Sequence, residues 1–238
     1  TSVTFGWGVR EDEAFTGRIR RALTEAGHEG LEVVNAGVPA YSSYQILVFL
    51  RELLRTLQPA AIVIETGIND GLVAMGPPDR DATAFIHDSA LARLAGVSNL
   101  VQMLVVIARK RTRAGAPTVD AAAEPFYHSA FHAPGHSRVP EDDFRSIIRE
   151  FEQIAETTGA SLYFLFPGLY NEYGDRKLDP TVRFRHGKQI DVVQEMKRRT
   201  EDPAPFFLPY DEAHLSRKGH RLVAFLILDR LKRDGCLH

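Results

Sequence analysis

Hydrophobic positions along the chain alternate between helical and strand spacing. Phe15, Ile19 and Leu23 recur at helical intervals within residues 12–26, and Gly27 follows where a C-terminal cap belongs. Leu31-Glu32-Val33-Val34-Asn35 reads as a short strand. From Tyr41 to Leu57, Ile46, Leu50, Leu53, Leu54 and Leu57 form an apolar stripe, with Ser42 or Ser43 as its N-cap. The run Ala60-Ala61-Ile62-Val63-Ile64-Glu65 after Pro59 is almost wholly apolar, as a strand covered on both faces requires.

The second half repeats the alternation. Phe144, Ile147, Ile148, Phe151 and Ile154 predict a helix over 141–158, and Ser161–Phe166 predicts a strand stopped by Pro167-Gly168. A helix is expected near 189–200 and a short strand at Phe206-Phe207-Leu208. Ser216 caps a final helix over 217–234, with Gly235 beyond it. Strands separated by helices imply an α/β domain with a parallel sheet. Residues 72–140 do not fit this scheme. They combine a predicted helix at 86–111 with a Pro-, Ala-, Gly- and His-rich stretch, and are read as an insertion or lid on one domain spanning 1–238.

Composition narrows the classes. With 238 residues, 44% of them hydrophobic, the chain can bury a full core. Its net charge of −2, from 29 basic and 31 acidic residues, lacks the basic excess of a dedicated nucleic-acid binder. One cysteine, Cys236, permits neither an internal disulfide nor a cysteine-based zinc site. No apolar run reaches membrane-spanning length. These features leave the compartment and the oligomeric state open.

Four polar segments fall where a strand should pass to a helix: Ser2–Val9, Asn35–Pro39, Gly67–Asp70 and Asp211–Ser216. In open α/β sheets such ends gather around one crevice. Their chemistry is complementary. A serine hydroxyl needs a base to become a nucleophile, and His214 is a candidate because imidazole as a group titrates near neutral pH. Asp211, three residues earlier, is placed to hold the imidazole in the required tautomer. The backbone N–H groups of Ser2 and Gly37 and the side-chain amide of Asn69 are candidate donors to an oxyanion. Asp70 is read as a loop-stabilising carboxylate.

In this order the four segments resemble the signature blocks of the SGNH (GDSL-type) hydrolases, a superfamily of esterases, lipases, deacetylases and some acyltransferases. The resemblance implies a three-layer, flavodoxin-like sheet with helices on both faces. It implies Ser2 as nucleophile, Asp211 and His214 as the rest of a triad, and Ser2, Gly37 and Asn69 as the oxyanion hole. It also implies a small-molecule or glycan ester substrate and neither metal nor organic cofactor. The family's Gly-Asp-Ser carries Asp where this chain has Thr1, and its first strand precedes the serine. That strand, and any targeting segment, are therefore expected upstream of Thr1. Acyl transfer to a sugar hydroxyl and non-catalytic binding of an acylated glycan are the rival readings.

Other signals are weaker. His128, His132 and His136 recur every four residues, but Pro134-Gly135 interrupts any helix and no carboxylate completes a ligand set. Arg109, Lys110, Arg111 and Arg113 read as a solvated helix end. Phe126, Tyr127, Phe131, Tyr170 and Tyr173 are aromatics that could line a pocket or pack into the core.

Overall fold

The computed structural model describes residues 1–72, 74, 77–81, 136–167, 187–209, 211 and 213–237. Three strands, β1 (Ala61–Glu65), β2 (Ser161–Phe166) and β3 (Lys188–Asp191), pair in parallel in the order β1-β2-β3. Around them lie α1 (Ser2–Phe5), α2 (Phe15–Glu25), α3 (Ser43–Leu53), α4 (Glu141–Thr158), α5 (Val192–Arg199) and α6 (Arg217–Arg233).

Strand alternation divides the core between two faces. Tyr163 and Leu165 of β2 join Phe15, Ile19 and Leu23 of α2, Val192 and Met196 of α5, and Leu222, Val223 and Ile227 of α6. Phe164 points the other way and meets Phe151 of α4 edge to face, with ring centroids 6.3 Å apart. Both faces are thus covered by helices, which is why β1 and β2 are apolar nearly throughout. Ile147, Ile148 and Phe151 bury the middle of the α4 stripe, while Phe144 and Ile154 at its ends are half-buried. Each fully buried side chain contributes about 1.5–3 kcal/mol by leaving water.

Caps fix where the helices begin. Ser42 accepts from the Gln45 N–H while Gln45 reaches back to the Ser42 N–H, a reciprocal capping box that starts α3. Ala14 at the start of α2 has no side chain able to cap. The buried His220 of α6 takes that part, its Nδ1 accepting from the Phe15 N–H at 3.2 Å.

The structure corrects three expected elements. Residues 31–35 belong to no ladder, and Leu31 and Val34 are exposed, because no described strand runs beside them. The expected strand at 206–208 is a 3-10 turn, Ala204–Phe206, followed by one antiparallel bridge from Phe207 to Leu215. The helix expected near 189–200 begins at Val192, because Lys188–Asp191 pairs with β2 instead. The predicted helix at 86–111, the basic cluster 109–113, His128, His132 and the aromatics 126, 127, 131, 170 and 173 lie outside the described residues.

The chain divides into two compact units, residues 1–69 with 141–238, and residues 70–140. In the second, the two ends are tied together. The Val139 N–H donates to Asp70 O, the Arg138 N–H to Leu72 O and the Ala74 N–H to His136 O, while Arg138 pairs with Asp79 at 2.8 Å. Among the described residues no helix is long and apolar enough to cross a membrane.

Candidate active site

Helix α1 carries Ser2 to the C-terminal end of β1. Val3 is buried in the core, and the Thr4 hydroxyl donates to Glu65 Oε2 at 3.1 Å, which pins the short helix over the strand end. Burial pushes the Glu65 carboxyl above the usual carboxylate range, against the pull of that hydrogen bond. Gly6, at φ 90°, ends the helix, and its N–H bonds back to the Ser2 and Val3 carbonyls. At Gly37 a Cβ would lie 2.2 Å from the Phe5 nitrogen, so only glycine lets that segment pack against α1.

A tight loop before α6 presents the other half. The Phe207–Leu215 bridge closes it, and the Leu208 N–H donates to the His214 carbonyl at 2.9 Å. Ser216 anchors its exit by accepting from the Lys218 and Gly219 N–H groups and donating to Pro205 O. Inside the loop, Asp211 Oδ1 accepts from the Ala213 and His214 N–H groups, both at 2.9 Å. Its Oδ2 lies 2.7 Å from His214 Nδ1. Partial burial raises the cost of the Asp211 charge, but these hydrogen bonds outweigh it and hold the carboxyl below its ordinary value.

The two halves meet. His214 Nε2 lies 2.9 Å from Ser2 Oγ. A carboxylate can only accept, so the proton between His214 and Asp211 belongs to Nδ1, and Nε2 is left to accept from the Ser2 hydroxyl. A hydroxyl held in this way can lose its proton to imidazole as it attacks an electrophile, and the carboxylate stabilises the resulting imidazolium.

The remaining predicted residues are engaged differently. Asn69, 8% exposed, follows β1 in a 3-10 turn and donates one amide hydrogen to the Tyr41 carbonyl at 3.0 Å. The other hydrogen of that NH₂ is a second donor. The Gly37 N–H donates to Asn35 Oδ1 at 2.9 Å, and Asn35 Nδ2 donates to Thr16 Oγ1 at 3.1 Å. Thr1 is buried at the start of α1, and its hydroxyl has no partner among the described residues. His136 is exposed, and no group of metal-ligating side chains forms among the described residues.

Sequence reasoning passed over Thr4, Asn35, Glu65 and Trp7. The Trp7 ring centroid lies 6.0 Å from that of His214. Asn35 carried a legible signal, since Asn two residues before Gly favours a side-chain turn onto the backbone. Glu65, ending an apolar run, carried one as well.

Comparison with known proteins decides the family. The model of the GDSL-like lipase/acylhydrolase family matches residues 2–222. The chain belongs to this family. It is therefore a hydrolase of ester bonds with the SGNH fold. The GDSL-type domain is similar in fold to several solved structures. One is the acetyl xylan esterase AlAXEase, at TM-score 0.57 and 16% identity over 97% of this chain and 96% of that one. Another is TesA, at TM-score 0.55 and 17% identity over 98% and 94%. A third is LAE5, an alpha/beta hydrolase enzyme from the metagenome of Lake Arreo, Spain, at TM-score 0.59 and 14% identity over 100% and 93%. No curated protein sequence matches the chain.

Proposed function

We propose that this GDSL-type hydrolase cleaves carboxylic or O-acetyl esters through a covalent acyl-enzyme formed on Ser2. The observation that carries the reading is the unbroken chain of hydrogen bonds from Ser2 Oγ through His214 to Asp211. Ser2 Oγ attacks the ester carbonyl while His214 Nε2 takes its proton. The carbonyl oxygen becomes an oxyanion, which accepts from the Ser2 N–H and the Asn69 amide. The Gly37 N–H joins them by exchanging or sharing its bond to Asn35. As the tetrahedral intermediate collapses, the C–O bond to the alcohol breaks and His214 returns the proton to the leaving alkoxide. Water, deprotonated in turn by His214, then adds to the acyl carbon and releases the acid and the free serine.

The substrate class is a small-molecule or glycan ester, and residues 72–140 are an insertion within the single SGNH-type domain. The test is active-site labelling. Treatment with a fluorophosphonate followed by peptide mapping should place one phosphonyl adduct on Ser2, and the adduct should disappear in His214→Ala. Well-folded protein that takes no label at Ser2 would overturn the mechanism.

A further inference from the structure

The molecule has one tryptophan, Trp7, and it is not part of the core. The residue is 51% exposed, although indole is among the most rewarding groups to bury. It is nevertheless held firmly. The Trp7 N–H donates to the Ser2 carbonyl at 3.0 Å. Gly6 and Gly8 on either side take φ of 90° and 82°, the left-handed region that side chains resist. A Cβ at Gly8 would lie 2.3 Å from Leu208 Cδ1, so the turn is wedged against the loop that carries His214. The backbone thus ties Trp7 to both halves of the site and presents its ring outward, 6.0 Å from the His214 ring at an interplanar angle of 33°.

Position relative to His214 decides which half of an ester would meet this ring. His214 delivers a proton to the departing oxygen, so the alcohol half must lie against His214 while the acyl half lies toward the oxyanion donors. We propose that Trp7 is the binding platform for the alcohol half, and that it selects alcohols presenting a flat ring face, either the C–H face of a pyranose or an aryl ring, over short acyclic ones. An open indole face rewards flat partners because contact area and ring electrostatics both scale with overlap. The assignment rests on the reading of Ser2 as nucleophile and His214 as base.

The test uses three acetates that share one acyl-enzyme: ethyl acetate, benzyl acetate and a monoacetylated methyl xylopyranoside. In Trp7→Ala, kcat/KM should fall about tenfold for at least one ring ester and less than about twofold for ethyl acetate. Trp7→Phe should keep most of the activity. Deacylation should be unchanged, because the alcohol has then departed. The arm with the larger loss distinguishes an aryl from a pyranose partner. An equal loss on all three esters, or a loss confined to deacylation, overturns the proposal. Should Trp7→Ala not fold, the wild-type tryptophan emission, which comes from this ring alone, is titrated with benzyl alcohol and methyl xylopyranoside. A saturable change with either supports the platform, and none with both overturns it. Hydrolysis of these esters that survives Ser2→Ala would instead overturn the reading of Ser2 and His214, and the alcohol-side assignment with it.

Discussion

Two polar clusters occupy opposite ends of the same parallel strands, and they use similar groups for different ends. At the C-terminal end, Ser2, His214 and Asp211 form a linear chain of hydrogen bonds. At the N-terminal end, Asp234 Oδ2 accepts from the Tyr163 hydroxyl at 2.9 Å, Lys188 Nζ at 2.9 Å and Arg230 Nε at 3.0 Å. Cys236 adds a contact to the Tyr163 hydroxyl at 3.4 Å and donates to Ser161 Oγ. The strongly shifted acidity lies in this second cluster. Burial opposes the Asp234 charge, yet the donors from Lys188, Arg230 and Tyr163 hold its carboxyl down at about 2. Burial, together with Cys236 and Asp234, pushes the Tyr163 phenol above its ordinary range.

A perturbed pKa is therefore not what separates the proposed reactive site from a brace. The difference lies in what the hydrogen bonds leave over. Asp234 Oδ2 accepts from two cations and a hydroxyl at once, and the cluster fastens the end of α6 to β2 and β3. His214 instead sits between a carboxylate and a hydroxyl, and its Nε2 can accept and return a proton without breaking the chain. The position of each cluster on the sheet agrees with this division, since ligands of open α/β sheets gather at the carboxyl ends of the strands.

Breaking each cluster in turn tests the contrast. The largest effect is expected from Ser2→Ala, which should lower kcat for ester hydrolysis by at least about 10³-fold while changing the unfolding free energy by no more than about 0.5 kcal/mol. Paired turnover and urea titrations check it, and retained turnover would erase the distinction between the clusters.

The second test concerns His220. His220 is fully buried, accepts from the Phe15 N–H at Nδ1, and its Nε2 has no partner among the described residues. Burial, with the Arg18 charge adding to it, brings its pKa down to about 4. In the unfolded chain the ring titrates near 6.5, so between these values the unfolded state binds the extra proton. Stability should hold above pH 6.5, fall by about 3 kcal/mol as the pH drops through 4, and level off below that. Urea midpoints across that window check it, and His220→Gln should flatten the corresponding slope.

The smallest effect is expected from Asp234→Ala. Removing the acceptor should cost about 1.5–3 kcal/mol of stability and leave turnover per folded molecule within about twofold. A large loss of turnover at unchanged stability would mean that the brace takes part in the chemistry.

Much of this architecture was legible along the chain. The helix over 141–158 matches its apolar stripe end to end, and β1 and β2 fall on short apolar runs, Ala60–Ile64 and Leu162–Phe166. These elements are readable because burial dictates their side chains position by position. β3 was not. Lys188-Gln189-Ile190-Asp191 has one buried apolar residue and becomes a strand only by pairing with Tyr163–Phe166. Conversely, Leu31–Asn35 has the composition of a strand but lacks a described neighbour to complete its ladder.

The chemistry-bearing residue types and the order in which they occur are legible along the chain, because a serine, a turn glycine, a Gly-x-Asn-Asp and an Asp-x-x-His are local patterns. The Asp211–His214 pair was nearly settled at that level, since a spacing of three residues already brings carboxylate and ring together. It takes the folded chain to bring Ser2 to His214 across 212 positions of sequence, to place Asn35 rather than solvent on the Gly37 N–H, and to stand the half-exposed Trp7 beside the imidazole. Those are distances between segments, set by how helices pack on the two faces of a parallel sheet, and no local pattern encodes them.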